Sequence, residues 1–368
     1  EEVLFVMRKR NNVLKVGILA LMAFALVASC FQTGAIAAET KEKTWQWYPS
    51  TWQPSGVVWD RLVYISDLIT RGSGGRIKVT PTAPGMVCAV AEQLDAVATG
   101  ATPAMMIYTD YYSGKMPLLG MTTNPLFLLN NTWELHQYVE KQNDGRILAL
   151  LREELAKYGD VHVVGPAYYV LEMIMNSKVP IDSIDKIKGM KFRSGDVPVA
   201  NALGALGASV TWSPGEEIYT NLSSGVIDAC TYCGPADSIA MGFHEVAKYW
   251  LRTPLMGPVN VDYFIVNGKV WRELPDDLKA VVESALAAGN AFAEFQGSAD
   301  NGKAWGQAKD LGVTIVDWSE EDALKWNATV ASFLPDFGKD AASKEAIEVL
   351  KAYLQEYRPE LAKALMEQ

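Results

Sequence analysis

Apolar residues recur at three- and four-residue spacing in some stretches of the chain and form short continuous runs in others. Together the two patterns predict an alternation of helices and strands. A strand over 44–48 runs into the loop "PSTWQP", whose composition suits a pocket. Val58, Leu62, Ile65 and Ile69 then fall on one face of a helix predicted over 55–70, and "RGSGGR" turns the chain into a strand at 77–80. A short helix over 92–99 is closed by Gly100, and a buried strand follows over 104–108. Residues 133–158 read as mostly helical, with Gly159 as the stop.

The pattern is clearest from Lys191 to Cys233. "KFR" is a short strand, after which Asp196 caps a helix that carries Pro198 in its first turn and ends at Gly207. "SVTW" is the next strand, Ser213 and Pro214 open a helix over 216–223 that Gly225 stops, and "VIDA" is the third strand. Such a β-α-β-α-β alternation implies parallel strands joined by right-handed crossovers. Ligands in such sheets sit beyond the carboxyl ends of the strands. Arg193, Trp212 and a turn from Cys230 to Cys233 all fall at such ends, so three segments point to one rim.

Further along, Leu278, Val282, Ala285, Gly289, Phe292, Phe295 and Ala299 keep helical spacing within a proline-free stretch over 275–311. Unbroken, that helix would span about 50 Å at ~1.5 Å per residue, longer than one domain, which predicts a spine bridging two. Gly297, Gly302 and Gly306 are its candidate kinks. The expected class is therefore α/β with two domains.

Composition narrows the function. The 368 residues carry a formal net charge of −10, which argues against a nucleic-acid partner or an anionic membrane surface. From Met7 a basic stretch (Arg8, Lys9, Arg10, Lys15) precedes an apolar run over 16–28 and a small-residue site, Ala35-Ile36-Ala37, with six further residues standing before Met7. Residues 1–37 thus read as a secretory signal peptide cleaved after Ala37, and the protein as periplasmic. "VASC" offers a competing lipoprotein box with Cys30 as the lipidated residue. Cys88, Cys230 and Cys233 then remain, an odd number, so no disulfide framework is expected to hold the fold.

The chemistry of an enzyme is hard to find. His136, His162 and His244 stand at no metal-ligand spacing, and "HEVAK" lacks the second histidine of a zincin. Cys230 and Cys233 form a C-x-x-C, but zinc needs a second ligand pair and only Cys88 is left to offer one. A redox pair needs its first thiol at a helix N-terminus, whereas Cys230 ends a predicted strand. Structural or pocket-lining thiols are the reading preferred over catalysis. Arg193 reads equally as a surface residue or, at a strand end beside a helix start, as a carboxylate-binding fork.

"IDKIKGMKFRSGDVPVANALGALGASVTWSPGEEIYTNLSSGVIDA" closely resembles the signature of solute receptors of tripartite ATP-independent periplasmic (TRAP) transporters. "GPADSIAMGFHEVAKYW", "VNGKVWRELPDDLKAVVESA" and "EQLDAVATGATPAM" fit the same family. The resemblance implies two α/β lobes around a cleft, joined by crossing strands and a long helix. Lobe I is expected over 38–165 and about 256–295, and lobe II over 166–255 and about 296–368, with the C-terminal helices. It further implies a receptor, not an enzyme, for a small organic acid held by Arg193. The ligand it implies is a 2-oxo or hydroxy monocarboxylate, expected to be delivered to the membrane permease subunits by a monomer or homodimer.

In the metal-using branch of that family a Gln lies 21 positions before the arginine and a Glu-Trp pair follows the third strand. Here Glu172 and Thr231-Tyr232 stand in those places. That departure leaves open whether Glu172 and Thr231 hold a Na or Ca ion bridging to the ligand, or whether Glu172 receives a ligand ammonium. Tyr168, Tyr169, Trp212 and Tyr232 would then wall an amino acid or aromatic carboxylate. "CTYC" becomes the pocket turn. The alternative of another class is an exported thiol-dependent enzyme using Cys230 and Cys233.

Overall fold

The computed structural model describes residues 43–170, 174–252 and 259–366. The predicted signal peptide with Cys30, and Glu172, lie outside the described residues. The strands, in chain order, are β1 (Trp45–Trp47), β2 (Ile77–Val79), β3 (Ala104–Ile107), β4 (Val161–Val170), β5 (Ile174–Ser177), β6 (Lys191–Arg193), β7 (Ser209–Thr211), β8 (Ala229–Tyr232), β9 (Tyr249–Arg252), β10 (Val259–Asn267) and β11 (Thr314–Asp317).

Among the described residues they form a β1–β2 pair, a three-stranded sheet in the order β3-β10-β4, and a six-stranded sheet in the order β11-β9-β5-β8-β6-β7. The chain passes between the two larger sheets three times, from β4 to β5, from β9 to β10 and from β10 to β11, so two lobes are linked by more than one crossing. β6 pairs in parallel with β7 on one side and β8 on the other. The strand order therefore reverses at β6, where a doubly wound sheet opens a crevice at its carboxyl edge.

Eight helices matter for the site: α1 (Val57–Gly72), α2 (Arg146–Tyr158), α3 (Val197–Ala205), α4 (Ile218–Ser224), α5 (Pro235–Ala240), α6 (Asp276–Gln307), α7 (Glu320–Ala331) and α8 (Ala341–Tyr357). The predicted spine is α6, 32 residues long and about 48 Å at ~1.5 Å per residue. It packs on α1, β4 and α5, touching both lobes. Its glycines do not break it. Gly289 lies so close to Ile65 that a Cβ would meet its side chain at 2.4 Å, and one on Gly297 would meet Val57 at 3.3 Å. These two glycines let the spine approach α1, while Gly302 and Gly306 face open space.

Three expectations are corrected. The third strand of the alternation is β8, not "VIDA": β5 and β6 lie alongside Ala229–Tyr232, and all four residues are buried between them. Cys230, Thr231 and Tyr232 thus belong to a central strand, and the turn begins only at Cys233. The helix predicted over 133–158 is interrupted after a π-helical turn at Gln137–Lys141, because Asn143, Asp144 and Gly145 all take left-handed backbone angles before α2 starts.

The C-terminal helices do not all join lobe II. α7 packs on α3, but α8 needs a partner for Ile347, Leu350 and Tyr353 and finds it on α2 beside the three-stranded sheet. Arg146 pairs there with Glu345 at 2.5 Å, and the rings of Tyr138 and Tyr353 meet edge to face at 6.1 Å.

Candidate functional site

Arg193 is the last residue of β6 and is 2 % exposed. Its guanidinium is fixed by backbone carbonyls: Nε and Nη2 donate to Ser213 O at 2.8 and 2.6 Å, and Nη1 donates to Thr231 O at 3.1 Å. Among the described residues it makes no ion pair within 4.0 Å. A buried cation held by carbonyl dipoles keeps unused charge and donors, which is what a bidentate anion requires.

Around it lies a cavity of about 30 Å³ lined by both lobes. β6, β8 and the segments after them supply Arg193, Gly195, Asp196, Tyr232 and Cys233. The facing wall comes from Trp52, Tyr108, Tyr111, Tyr169 and Asn260. The aromatic rings interlock across the boundary. Trp52 meets Tyr232 edge to face at 6.1 Å, and Tyr111 meets Trp212 at 5.8 Å. Tyr232 is nearly fully buried, and its hydroxyl has no hydrogen-bond partner among the described residues. A volume that holds little more than water admits an organic acid only if the walls separate.

The far wall rests on a buried ion pair. Arg61 Nη2 meets Asp262 Oδ2 at 2.6 Å with both side chains fully buried, and Asp262 Oδ1 accepts from Trp52 Nε1 at 3.0 Å. Arg61 also donates to Ala167 O and Tyr168 O and lies over the Tyr169 ring at 5.0 Å. These contacts aim Trp52 and Tyr169 at the cleft.

Two carboxyls stand at the boundary. Asp196 was expected to cap α3, but its side chain makes no cap bond and instead accepts from Tyr108 Oη. Burial raises its pKa, opposed by the Tyr108 bond and by Arg193. Asp110 Oδ2 accepts from Val197 N at 3.1 Å, and burial together with the neighbouring Asp196 pushes Asp110 up to about 7.

The structure separates the sequence candidates. Arg193, Thr231 and Tyr232 come together, and Trp212, half exposed, edges the group through Tyr111. Tyr168 does not join them. Side chains alternate along β4, so Tyr169 faces the cleft while Tyr168 points the other way. Tyr168 lines a separate cavity of about 530 Å³ and donates to Glu140 Oε1 at 2.8 Å. Trp52, Tyr108, Tyr111, Asn260 and Asp196 were not singled out as cleft residues. "PSTWQP" pointed toward Trp52, and the tyrosine run "IYTDYY" is the signal that could have found Tyr108 and Tyr111.

Thr231 is a poor cation ligand here: its carbonyl accepts from Arg193 and its hydroxyl donates to Ser194 Oγ at 3.2 Å. Among the described residues no group of three or more His, Cys, Asp or Glu could hold a metal. A hard cation such as Ca²⁺ takes about six to eight oxygens, and Glu172, the carboxylate expected to supply one, lies outside the described residues. Cys230 and Cys233 are free and buried. Burial pushes Cys230 up to about 12 and Cys233 well above the ordinary thiol range, the opposite of an activated thiolate.

Residues 49–340 match the family described as bacterial extracellular solute-binding protein, family 7. The chain is 28% identical over 351 residues to the monocarboxylate 2-oxoacid-binding periplasmic protein of a Nostoc species, covering 94% of this chain and 93% of that relative. In fold it resembles an extracytoplasmic solute receptor of Bordetella pertussis that binds pyroglutamic acid, with a TM-score of 0.74 and 19% identity over 84% of this chain and 99% of that one. It also resembles a TRAP transporter solute-binding protein of Bordetella bronchiseptica with copurified calcium and picolinate, with a TM-score of 0.71 and 22% identity over 88% and 98% of the two chains.

Proposed function

Since the chain belongs to family 7 of the bacterial extracellular solute-binding proteins, the solute receptors of TRAP transporters, we propose that it captures a small 2-oxo or hydroxy monocarboxylate between its lobes and delivers it to the membrane permease. The protein is a receptor rather than an enzyme. The observation that carries the ligand class is Arg193: a buried guanidinium fixed by the carbonyls of Ser213 and Thr231, at the carboxyl end of β6. In a desolvated cleft, a planar fork takes a carboxylate by charge-assisted bonds that water cannot match.

Capture couples to motion. Each lobe supplies part of the wall, so a ligand between them has more contacts in the closed form, and that difference in affinity drives closure. Among the described residues no helix is long and apolar enough to cross a membrane.

A second reading, a ring-bearing carboxylate or an amino acid, is favoured by one feature. Trp52, Tyr108, Tyr111 and Tyr232 offer four rings to a cavity that carries Arg193, enough to sandwich a flat ligand. Neither reading needs a metal ion.

Arg193→Lys tests the proposal. Lysine cannot span two carbonyls and present a fork, so calorimetry with pyruvate, lactate and pyroglutamate should show the best-bound acid weakened by about 2–5 kcal/mol. Near-native affinity for that acid would overturn the assignment.

A further inference from the structure

Two residues after Arg193 the backbone turns back past the guanidinium. A Cβ on Gly195 would stand 3.0 Å from Nη1, 3.0 Å from Nη2 and 3.3 Å from Cζ. Equal distances to the two nitrogens, with the carbon further away, place that point in front of the fork's end and toward one face. A bidentate carboxylate sets its oxygens in the same region, about 2.8 Å from the nitrogens. Arg193 has nowhere to retreat: Nε and Nη2 are tied to Ser213 O and Nη1 to Thr231 O. Gly195 is not among the residues with positive φ, so its backbone does not require glycine. What the position requires is the missing side chain.

We propose that Gly195 is part of the carboxylate-binding site, its lack of a side chain keeping the end of the Arg193 fork open to a planar carboxylate. The inference rests on the carboxylate reading above. Gly195 would be to the arginine what a gap in a wall is to a doorway: any Cβ covers both donors at once. The position acts on the anionic end of the ligand only. It leaves the rest of the ligand to the aromatic rings, so every carboxylate the receptor takes should be affected alike.

The test compares wild type, Gly195→Ala, Gly204→Ala and Arg193→Lys, with calorimetry against acetate, pyruvate and pyroglutamate and thermal unfolding without ligand. Gly204 lies on α3 with nothing near its Cβ position, so Gly204→Ala controls for the loss of a glycine. Gly195→Ala should lose about 30-fold or more in affinity for every probe the wild type binds, while Gly204→Ala binds as wild type. Affinity in Gly195→Ala within about threefold of wild type, with Arg193→Lys impaired, overturns the role of Gly195 and spares the carboxylate reading. Wild type that binds none of the three acids overturns both. Where Gly195→Ala fails to fold, the double variant Arg193→Lys, Gly195→Ala decides. A folded double variant traces the defect to the clash between Cβ and guanidinium and supports the proposal, whereas an unfolded one makes Gly195 structural and overturns it.

Discussion

Tyr108 donates its hydroxyl to Asp196 Oδ1 over 2.5 Å, and the two residues come from opposite walls of the cleft. Tyr108 follows β3, and its oxygen also accepts from Asn260 Nδ2 at 3.0 Å. Asp196 precedes α3, whose first N–H, Val197 N, donates to Asp110 from the Tyr108 side. Two adjacent bonds thus tie the lobes beside Arg193.

Tyr108→Phe should loosen that tie. A hydrogen bond contributes about 0.5–1.5 kcal/mol net, and the variant also leaves Asp196 buried without this donor. The ligand-free protein should shift toward an open form. Small-angle scattering should give a larger radius of gyration than wild type, with the difference reduced at saturating ligand. An identical profile without ligand would show that this bond does not hold the lobes.

Acidity should favour the folded state. Asp110 has its pKa raised to about 7 by burial and by Asp196, from an unfolded value of about 3.9. Between those values the native state binds more protons than the unfolded chain, so stability falls as pH rises. This contribution is fully present below about pH 4 and lost as pH climbs through about 7. Thermal unfolding should therefore show a negative slope of stability against pH from about 4 to 7 that flattens in Asp110→Asn. An unchanged slope in the variant would assign the effect to other groups.

Thiol reactivity should separate Cys88 from the C-x-x-C pair. Cys88 is partly exposed, whereas Cys230 and Cys233 are buried and free. A thiolate reagent added at pH 8 to protein lacking residues 1–37 should label Cys88 alone, with the other two reacting only on unfolding. Rapid labelling of Cys230 or Cys233 in the folded protein would revive a thiol-based activity.

Local chemistry carried much of this protein. Turn residues and apolar spacing marked β6, α3, β7, α4 and the spine α6, because glycine, proline and periodic burial act over a few residues. Arg193 was placed at a strand end by the same local signals. The family resemblance then supplied the two lobes. Glu172, singled out beside it, stays a matter of sequence, since the described residues do not include it.

The facing wall was decided by tertiary structure. Trp52, Tyr108, Tyr169 and Asn260 come from four distant segments, and no window of sequence contains the sheet that brings them together. β4 is buried on nearly its whole length, so no polar alternation distinguishes Tyr168 from Tyr169; only its pairing with β10 and the packing of Arg61 and α6 fix which face meets the cleft. Asp196 shows the same limit. Its sequence position made it a helix cap, yet a tyrosine 88 residues away takes its carboxylate instead. By itself the sequence determined the elements, the spine and the cation at the strand end. Which side chains face that cation was decided by long-range pairing, because burial on both sides of a strand erases the pattern from which a face could be read.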